Sequence, residues 1–390
     1  MRVAIARTMA EFSLDMYTDN LIAGLRKVRP EWEILELTPQ SFDRKSSSLT
    51  LRLRKYYERF WRYPRFVQQQ VADIVHVVEP CDANIAYWLK DMGKPVVVTC
   101  HDLVNFYYRD NLQGSVQLPI VSRWAWLYSV YGMRHADHII AVSSATAKDT
   151  AQILKINSAK ITVIPNAVEA VFQPLPQSKI AAFRQQQGIT PETFCLLNVG
   201  ANHPRKNITR ILEAVLILRE KRLPIQFYKA GADFTTAQKQ FIQSQELESY
   251  VKYVGKPSKL TLIQLYNAAD ILMAPSLHEG FGITLLEAMA CGTPVITSNT
   301  SAMPEVVGDA GALVDPSNPT DIAAAVIRLY HNRTYYRELI SCGIARAKTF
   351  TWESTAEKVA RVYESLLKVT IASGTTSSME KADNGVIRSA

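Results

Sequence analysis

Short apolar runs alternate with amphipathic stretches along the whole chain, which is the pattern of a doubly wound α/β protein. In the first half, the apolar runs predict strands at residues 3–5, 34–37, 74–77, 96–99, 138–142 and 161–164. In the second half, they predict strands at residues 194–200, 225–228, 251–254, 271–275 and 295–297. The fold class predicted from this alternation is therefore α/β with parallel sheets.

The alternation is interrupted between residues 170 and 180. Residues 172–177 contain two prolines and no periodicity, and a new α/β series begins at Phe194. A chain of 390 residues also exceeds what a single core usually supports. We therefore predict two domains, at residues 1–172 and 178–350.

The carboxyl-terminal part of the chain divides in two. Residues 351–368 are predicted to form one amphipathic helix, because Ala356, Val359, Val362, Tyr363 and Leu366 fall on a single stripe. Residues 369–390 are rich in Ser, Thr, Gly and charge, and this composition predicts disorder.

Composition narrows the class of protein. No apolar run approaches the roughly 20 residues that cross a bilayer, and the first residues do not resemble a signal peptide. These features predict a cytoplasmic protein. The five cysteines are odd in number and widely spaced, which favours buried reduced thiols, and no Cys/His cluster has metal-ligand spacing.

The region from residue 271 to 297 is the most informative. It is predicted to form a strand, a glycine-rich loop at 276–283, a helix at 284–291 and a second strand. Loops at this end of a parallel sheet bind ligands, and a helix start offers N–H groups to an anion. Glu279 falls in the loop, where it can meet a sugar ring. Glu287 falls in the first helical turn, where it can accept the hydroxyls of a ribose.

This region resembles the retaining glycosyltransferases of family 4, whose signature is two glutamates separated by seven residues in the setting EGFG…LEAMACGTPV. The match extends to residues 313–316. The resemblance implies the GT-B fold, in which two Rossmann-like lobes face each other across a cleft and a terminal helix crosses back to the first lobe. It makes 1–172 the acceptor-side lobe, 178–350 the nucleotide-sugar lobe and 351–368 the crossover helix. It implies that Glu279 is catalytic and that the donor is bound by Gly280, Phe281, Gly282, Ile283, Thr284 and Glu287.

A second element implied by the resemblance is the loop at residues 200–207. Relatives carry an Arg-Lys pair there that neutralises the leaving nucleoside diphosphate, so this role is carried to Lys206 first and to Arg205 second. Ala201 stands where many relatives have another arginine. A solvated basic turn is the alternative interpretation.

In the first lobe, His101 follows the predicted strand 96–99 and matches the His-Asp motif of the family. The resemblance implies that this histidine contacts the donor sugar, and a packed structural histidine is the alternative. The loop from Thr8 to Asp15 has no glycine, whereas many relatives have a glycine pair there. The resemblance therefore assigns no acceptor contact to this loop.

Residues 44–66 carry eight lysines and arginines against one glutamate, a net charge of +7 within a whole-chain charge of +8. A helix over 51–63, ended by Pro64, would place Arg52, Lys55, Arg59 and Arg62 on one side. Leu53, Tyr56, Tyr57, Phe60 and Trp61 would lie towards the other side. This arrangement suits an anionic lipid surface. A partly packed surface helix is the alternative, and nothing else in the sequence supports nucleic acid binding.

Taken together, the sequence predicts a retaining glycosyltransferase that moves mannose or glucose from a nucleoside diphosphate sugar to a hydroxyl acceptor. GDP-mannose is the first choice of donor and UDP-glucose the second. The acceptor is expected to be a glycan or lipid-linked, as in polysaccharide or glycolipid assembly. No metal or other cofactor is expected, because cations and a helix dipole take its place. The alternatives are a non-catalytic nucleotide-sugar-binding subunit of a glycan assembly complex and a GT-B sugar epimerase.

Overall fold

The computed structural model describes residues 1–8, 14–41, 49–107 and 120–383 of the chain. Within these ranges the chain forms two compact units. Of the described residues, the first unit comprises 1–8, 14–41, 49–103, 120–165 and 352–383, and the second comprises 104–107 and 166–351. Apart from the short segment at 104–107, the chain passes to the second unit after Pro165, ahead of the interruption predicted between residues 170 and 180.

Strands are followed by one or more helices along most of the chain. Up to residue 163 they are β1 (Arg2–Ala6), α1 (Leu14–Val28), β2 (Glu33–Leu37), α2 (Leu49–Tyr57), α3 (Tyr63–Gln68), β3 (Ile74–Val77), α4 (Ile85–Leu89), β4 (Val96–Cys100), α5 (Val104–Tyr107), α6 (Ile120–Tyr131), β5 (His138–Ala141), α7 (Ser144–Leu154) and β6 (Ile161–Val163). The remaining elements are α8 (Gln177–Gln187), β7 (Phe194–Gly200), α9 (Ile208–Glu220), β8 (Ile225–Gly231), α10 (Thr236–Ser244), β9 (Val251–Tyr253), α11 (Lys259–Ala268), β10 (Ile271–Ala274), α12 (Ile283–Ala290), β11 (Val295–Ser298), α13 (Met303–Val307), β12 (Gly311–Val314), α14 (Pro319–His331), α15 (Arg333–Ala347) and α16 (Trp352–Asp383).

The first unit is built on a parallel six-stranded sheet in the order β2-β1-β3-β4-β5-β6. The central strands β3 and β4 are buried along their whole length and apolar except at His76 and Thr99, as expected where helices cover both faces of a sheet. One face packs against α1 and α16, which share a core that includes Leu21, Leu25, Val359 and Tyr363.

Helix α16 approaches α1 closely at Gly24. A Cβ added there would lie 2.8 Å from the Cβ of Ala356, so only glycine fits without a shift. Arg29 at the end of α1 pairs with Glu357 and Glu364 of α16, at 2.8 Å in each case. The terminal helix therefore belongs to the first unit, as predicted.

The second unit contains another parallel six-stranded sheet, in the order β12-β11-β10-β7-β8-β9. Its longest ladder joins β7 to β8, from the pair Phe194 and Ile225 to the pair Gly200 and Gly231. Helices α9 and α14 contribute Leu212, Val215 and Val326 to the core beneath it. The two Rossmann-like sheets confirm the predicted fold class.

Two predicted helix ends differ from the structure. Helix α16 continues to Asp383, so residues 369–383 are helical where disorder was predicted, and residues 384–390 lie outside the described part. No proline follows Trp352, so every residue of this segment can donate the next helical hydrogen bond.

Pro64 does not end the helix before it. A π-helical turn at Glu58–Arg62 leads into α3, in which Pro64 occupies the first turn. In this turn the Tyr63 N–H donates to the carbonyl oxygen of Glu58. In the same register Pro64 would donate to Arg59, and the Arg59 oxygen instead accepts from Asn84 Nδ2 at 3.0 Å. A side chain thus replaces the donor that proline lacks.

Candidate active site

The candidate site lies at the carboxyl edge of the second sheet. The strand order reverses there, since β7 has β8 on one side and β10 on the other. Open α/β sheets bind ligands outside the carboxyl ends of the strands at such a point. The loops that leave β7 and β10, at residues 201–207 and 275–282, both begin at this edge.

Three charged side chains meet where these two loops approach each other. The Nζ atom of Lys206 lies 2.6 Å from Oε1 of Glu279. The guanidinium of Arg205 pairs with the other carboxylate oxygen and donates to the carbonyl oxygen of His278 at 3.1 Å. The structure therefore brings together three predicted site residues, of which Arg205 and Glu279 are 74 positions apart in the chain.

The Glu279 carboxylate is ionised although its side chain is buried. Burial alone would raise its pKa, but the charges of Lys206 and Arg205 outweigh burial and lower the pKa to about 2. Two cations against one carboxylate leave an excess of positive charge. Such a cluster attracts an anionic ligand that can replace the carboxylate as partner of the cations.

Hydrogen bonds of the main chain and of Asn207 hold the two loops together. The Leu277 N–H donates to the carbonyl oxygen of Arg205 at 2.7 Å. Asn207 adopts a left-handed conformation, with φ of 63°, which asparagine tolerates better than most residues. Its Nδ2 donates to the carbonyl oxygens of Pro275 at 2.9 Å and Pro316 at 2.7 Å. The cations are thus positioned by a fixed backbone.

Ser301 holds the backbone of Glu279. Its hydroxyl donates to the Glu279 carbonyl oxygen at 2.7 Å and accepts from the Glu279 N–H at 3.2 Å. Ser301 itself has a φ of 57°, an uncommon conformation for a residue with a Cβ. The family match contains Ser301, but the sequence alone assigned it no role.

Lys229 is a further cation of the site that sequence reasoning missed. Its side chain is fully buried, and its Nζ donates to the carbonyl oxygens of Gly200 at 2.7 Å and Ala230 at 2.9 Å. Burial and then the charge of Lys206 lower its pKa to about 8. A lysine at the end of a buried apolar strand was the available signal.

The strands β7 and β8 meet closely beside Lys229. Gly231 has a φ of 103°, and an added Cβ would lie 2.3 Å from the carbonyl oxygen of Gly200. Glycine is therefore required at this position by both conformation and space.

The loop at 275–282 leads directly into α12. Gly282, with a φ of 98°, forms the amino-terminal cap of this helix, and Ile283 and Thr284 are half-buried in its first turn. Phe281 is buried and its ring lies 6.1 Å from that of Phe350, so it packs in the second unit. Gly280 is buried in the same loop as Glu279.

Glu287 lies in α12, one residue further from the helix start than predicted. It is the fifth residue of a helix that begins at Ile283, and it accepts a hydrogen bond from the Tyr266 hydroxyl at 2.7 Å. Burial raises the pKa of Glu287 to about 7, although the hydrogen bond from Tyr266 opposes this shift. The two signature glutamates therefore titrate in different pH ranges, Glu279 far below neutral pH and Glu287 close to it.

His101 follows β4 in the first unit. Its Nε2 lies 3.0 Å from the carbonyl oxygen of Val78, and its ring packs edge-on against Tyr17. Desolvation lowers its pKa to about 4, despite the bond to Val78. Because a carbonyl oxygen only accepts, neutral His101 carries its proton on Nε2, and Nδ1 is an acceptor.

Glu79 follows the neighbouring strand β3 and was also missed. Among the described residues its Oε2 is buried without a hydrogen-bond partner. Burial, followed by the negative charges of Asp102 and Asp82, raises its pKa to about 8. The carboxyl edge of the first sheet thus holds a neutral histidine and a protonated carboxyl group at neutral pH.

Other predicted features can be placed in the described part of the chain. It contains no group of three or more His, Cys, Asp or Glu side chains that could hold a metal ion. None of its helices combines the length and hydropathy needed to span a bilayer. Cys100, Cys195 and Cys291 are buried free thiols, whereas Cys342 is exposed. Most of the loop from Thr8 to Asp15, at residues 9–13, lies outside the described residues.

Relatives of known name share parts of this sequence. Serotype-specific mannosyltransferase WbdA of Escherichia coli is 28% identical over 279 residues, which cover 70% of this chain and 34% of WbdA. The chain thus spans about a third of the length of that relative. MMP alpha-(1->4)-mannosyltransferase of Mycolicibacterium hassiacum is 28% identical over 302 residues, which cover 75% of this chain and 70% of the relative.

A solved structure and two family models complete the comparison. HepE of Anabaena, in complex with UDP and glucose, superposes with a TM-score of 0.71 at 18% identity over 94% of this chain and 100% of HepE. The family model "Glycosyltransferase Family 4" matches residues 25–171, and "Glycosyl transferases group 1" matches residues 179–346. Both sheets and the charged loop of the second unit lie largely within these ranges. The chain therefore belongs to the group 1 and family 4 glycosyltransferases and has their GT-B fold.

Proposed function

We propose that the protein is a retaining hexosyltransferase that moves mannose or glucose from a nucleoside diphosphate sugar to a hydroxyl acceptor. The observation that carries the proposal is the Glu279 carboxylate, held ionised between Arg205 and Lys206 where the strand order reverses. A binding module needs cations for a diphosphate. It does not need a buried carboxylate placed between them.

In the proposed mechanism, the donor diphosphate takes over the two cations. Arg205 and Lys206 then neutralise the charge that develops on the leaving diphosphate, and the start of α12 adds its partial positive charge. Glu279 loses its cationic partners and faces the sugar, where its negative charge stabilises the cation-like transition state. The ribose hydroxyls would bind Glu287 in its ionised form.

The reaction itself exchanges one bond at the sugar for another. The bond from the anomeric carbon to the diphosphate oxygen breaks, and a bond to the acceptor oxygen forms on the same face, since family 4 enzymes retain configuration. The acceptor proton passes to the departing diphosphate. His101 Nδ1 would accept a hydrogen bond from a sugar hydroxyl during this step. The protein cations take the place of a metal ion in this scheme.

The sugar and base are proposed from the relatives. Two mannosyltransferases support mannose as the first choice. A guanine nucleotide as its carrier is proposed from the sequence resemblance alone. HepE, solved with UDP and glucose, supports glucose as the second. A thermal-shift screen of nucleotide sugars separates them, because a ligand at 100 times its Kd adds about 2.7 kcal/mol to stability. The acceptor is proposed to be a glycan or lipid-linked sugar on the cytoplasmic side of a membrane.

Replacement of Glu279 tests the proposed function most directly. Glu279→Ala and the isosteric Glu279→Gln should each lower the rate of transfer by about 1,000-fold or more, the scale on which loss of one buried electrostatic group acts. Both variants should bind the nucleoside diphosphate at least as tightly as the wild type, because the carboxylate no longer competes for Arg205 and Lys206.

Calorimetry with the free diphosphate and radiolabelled transfer assays measure the two quantities separately. Equal loss of transfer and diphosphate binding would refute the role assigned to Glu279. Donor hydrolysis in the absence of acceptor distinguishes an enzyme from a non-catalytic subunit, since only the enzyme releases free sugar.

A further inference from the structure

The first unit carries a row of exposed apolar side chains along α2, the π-helical turn and α3. Leu53 is 61% exposed, Tyr57 59% and Trp61 52%, and Phe66 continues the row. Leu53, Tyr57 and Trp61 recur every four residues, so they follow one side of the helical segment. Solvent exposure of three large aromatic rings in one short segment is unusual for a protein surface.

Helix α6 carries a second exposed apolar row that the sequence alone did not single out. Trp124 is 68% exposed, and Val121 and Tyr128 are also exposed, whereas Leu127 and Val130 of the same helix are buried. The exposed positions have the spacing of one helix face. In an ordinary amphipathic surface helix, an apolar face of this kind would pack against the protein core.

Side-chain contacts join the two rows. The ring of Phe60 lies 5.9 Å from that of Tyr128, which also stacks on Tyr87 at 4.8 Å. Asn84 links the same elements, because its Nδ2 donates to the Arg59 carbonyl oxygen at 3.0 Å and its Oδ1 accepts from Ser129 at 3.2 Å. We call the combined exposed face of α2, the π-helical turn, α3 and α6 the aromatic-basic surface.

The exposed cations of this surface differ from those expected from the sequence. Arg59 pairs with Asp82 at 2.9 Å and Arg62 pairs with the buried Glu58, so both have partners within the fold. Besides Arg62, the exposed cations of the same elements are Arg52, Arg54, Arg65 and Arg123. Exposed positive charge and exposed bulky apolar groups thus occur on the same helical elements.

We propose that the aromatic-basic surface docks the first unit on a bilayer that contains anionic phospholipid. The aromatic rings would enter the headgroup region while the arginines contact lipid phosphates. The inference deepens the proposed function, because docking at a bilayer gives access to a lipid-linked acceptor. The positive charge of the surface favours anionic lipid over a neutral protein partner. Binding of single-stranded nucleic acid instead of lipid is one possible outcome of the test.

Each basic residue near an anionic surface is worth about fivefold in partition coefficient, and the effect decays within a Debye length. The variant Arg52→Gln/Arg54→Gln/Arg65→Gln/Arg123→Gln should therefore bind acidic vesicles about 100-fold or more weakly. The variant Trp61→Ser/Trp124→Ser should bind acidic vesicles about tenfold more weakly than the wild type, and its remaining binding should depend on salt.

The matched control replaces four exposed cations of the second unit, Lys179, Lys221, Lys256 and Arg337, by Gln. It changes the net charge by the same amount and should bind vesicles almost as well as the wild type. The full-length protein is sedimented with vesicles of phosphatidylcholine alone or mixed with phosphatidylglycerol, at low and moderate salt. The proposal expects binding to the acidic vesicles alone, weakened by salt.

Wild-type protein that does not prefer acidic vesicles would overturn the proposal, and so would equal loss of binding in the control. Preference for single-stranded oligonucleotides over acidic vesicles would also overturn it. The thermal shift with donor and the transfer to a soluble acceptor are measured on the same variants. Both should stay at the wild-type level, so failed docking and a failed proposed function give different results.

Discussion

The carboxyl edges of the two sheets share one topology and differ in electrostatics. In each sheet the first strand lies where the order reverses, with β1 between β2 and β3 and β7 between β8 and β10. The edge of the second sheet holds Arg205, Lys206 and an ionised Glu279. The edge of the first sheet holds His101 and Glu79, whose pKa values of about 4 and about 8 leave both neutral.

The difference follows from pairing. Both carboxyl groups are desolvated, and desolvation raises the pKa of each. Glu279 has two cations in contact, which reverse the shift, whereas Glu79 faces the negative charges of Asp102 and Asp82, which enlarge it. Similar burial thus gives an ion in one unit and an acid in the other.

Under the proposed function, each edge would suit a different part of the donor. Charged groups with fixed positions stabilise a diphosphate and the charge that develops on it. Neutral groups with one donor or one acceptor suit sugar hydroxyls, which gain little from a full charge. On this basis we expect variants of the second unit to change diphosphate binding and variants of the first unit to change transfer alone.

The largest effect on nucleotide binding is expected for Lys206. Lys206→Ala should weaken nucleoside diphosphate binding by about 100-fold, because it removes a charge-assisted contact from a desolvated site. Nucleoside monophosphate binding should weaken far less. Calorimetry with both nucleotides measures the difference, and Lys221→Ala, which removes an exposed lysine of the same unit, is the control.

Equal weakening of both nucleotides would contradict the assignment of the loop at 201–207 to the diphosphate. It would also remove the main distinction between the two edges, since the cations of the second unit would then serve only Glu279.

A smaller effect, confined to transfer, is expected for His101. His101→Ala should lower kcat by about 10- to 100-fold, the cost of leaving a buried hydrogen-bonding group without its partner. His101→Gln should keep part of the rate, because an amide can both donate to Val78 and accept from a hydroxyl. With a pKa of about 4, His101 should contribute no rise or fall in kcat between pH 6 and pH 8.

Transfer rates and the Kd of the nucleoside diphosphate are measured on both His101 variants. A loss of diphosphate binding as large as the loss of rate would show that the first unit also recognises the charged diphosphate. That result would contradict the expectation that variants of the first unit change transfer alone.

The sequence predicted every described strand except β12, and it named the loops that hold the candidate residues, because apolar periodicity and the signature loop are local features. It could not predict that Glu279 pairs with Arg205, since that contact depends on β10 lying beside β7 in the sheet. The same holds for Lys229. The sequence places it within a strand, and only the sheet shows that its Nζ reaches the carbonyl oxygen of Gly200. The periodicity of apolar residues does not reveal contacts that depend on the order of strands in the sheet.

The predicted helix at 51–63 shows a second limit. A proline ordinarily ends a helix, so the π-helical turn was not foreseen. It persists because Asn84, distant in sequence, supplies the missing donor to Arg59. Likewise, helical periodicity placed Arg59 on an exposed side, and only the fold reveals its partner Asp82.

The smallest predicted effect concerns Glu287, and it tests whether the second unit holds one ionised carboxylate or two. Burial raises its pKa to about 7, with Glu169 adding to the shift and Tyr266, Lys259 and Lys206 opposing it. Between an unfolded pKa near 4.5 and the folded value, the folded state binds a proton that the unfolded chain has released. Stability should therefore fall as pH rises from 5 to 8, by about 3 kcal/mol at most. An ionised carboxylate accepts hydrogen bonds from ribose hydroxyls more strongly than the protonated acid does, so nucleoside diphosphate affinity should rise by up to about tenfold from pH 6 to pH 8. Glu287→Gln should remove both pH dependences, and a 2′-deoxynucleotide should show a weaker rise in affinity with the wild type.

Thermal melting and calorimetry between pH 5 and pH 8 measure the stability and the nucleoside diphosphate affinity. An affinity that rises equally in Glu287→Gln would assign the titration to another group and leave Glu279 as the only carboxylate whose charge the donor senses.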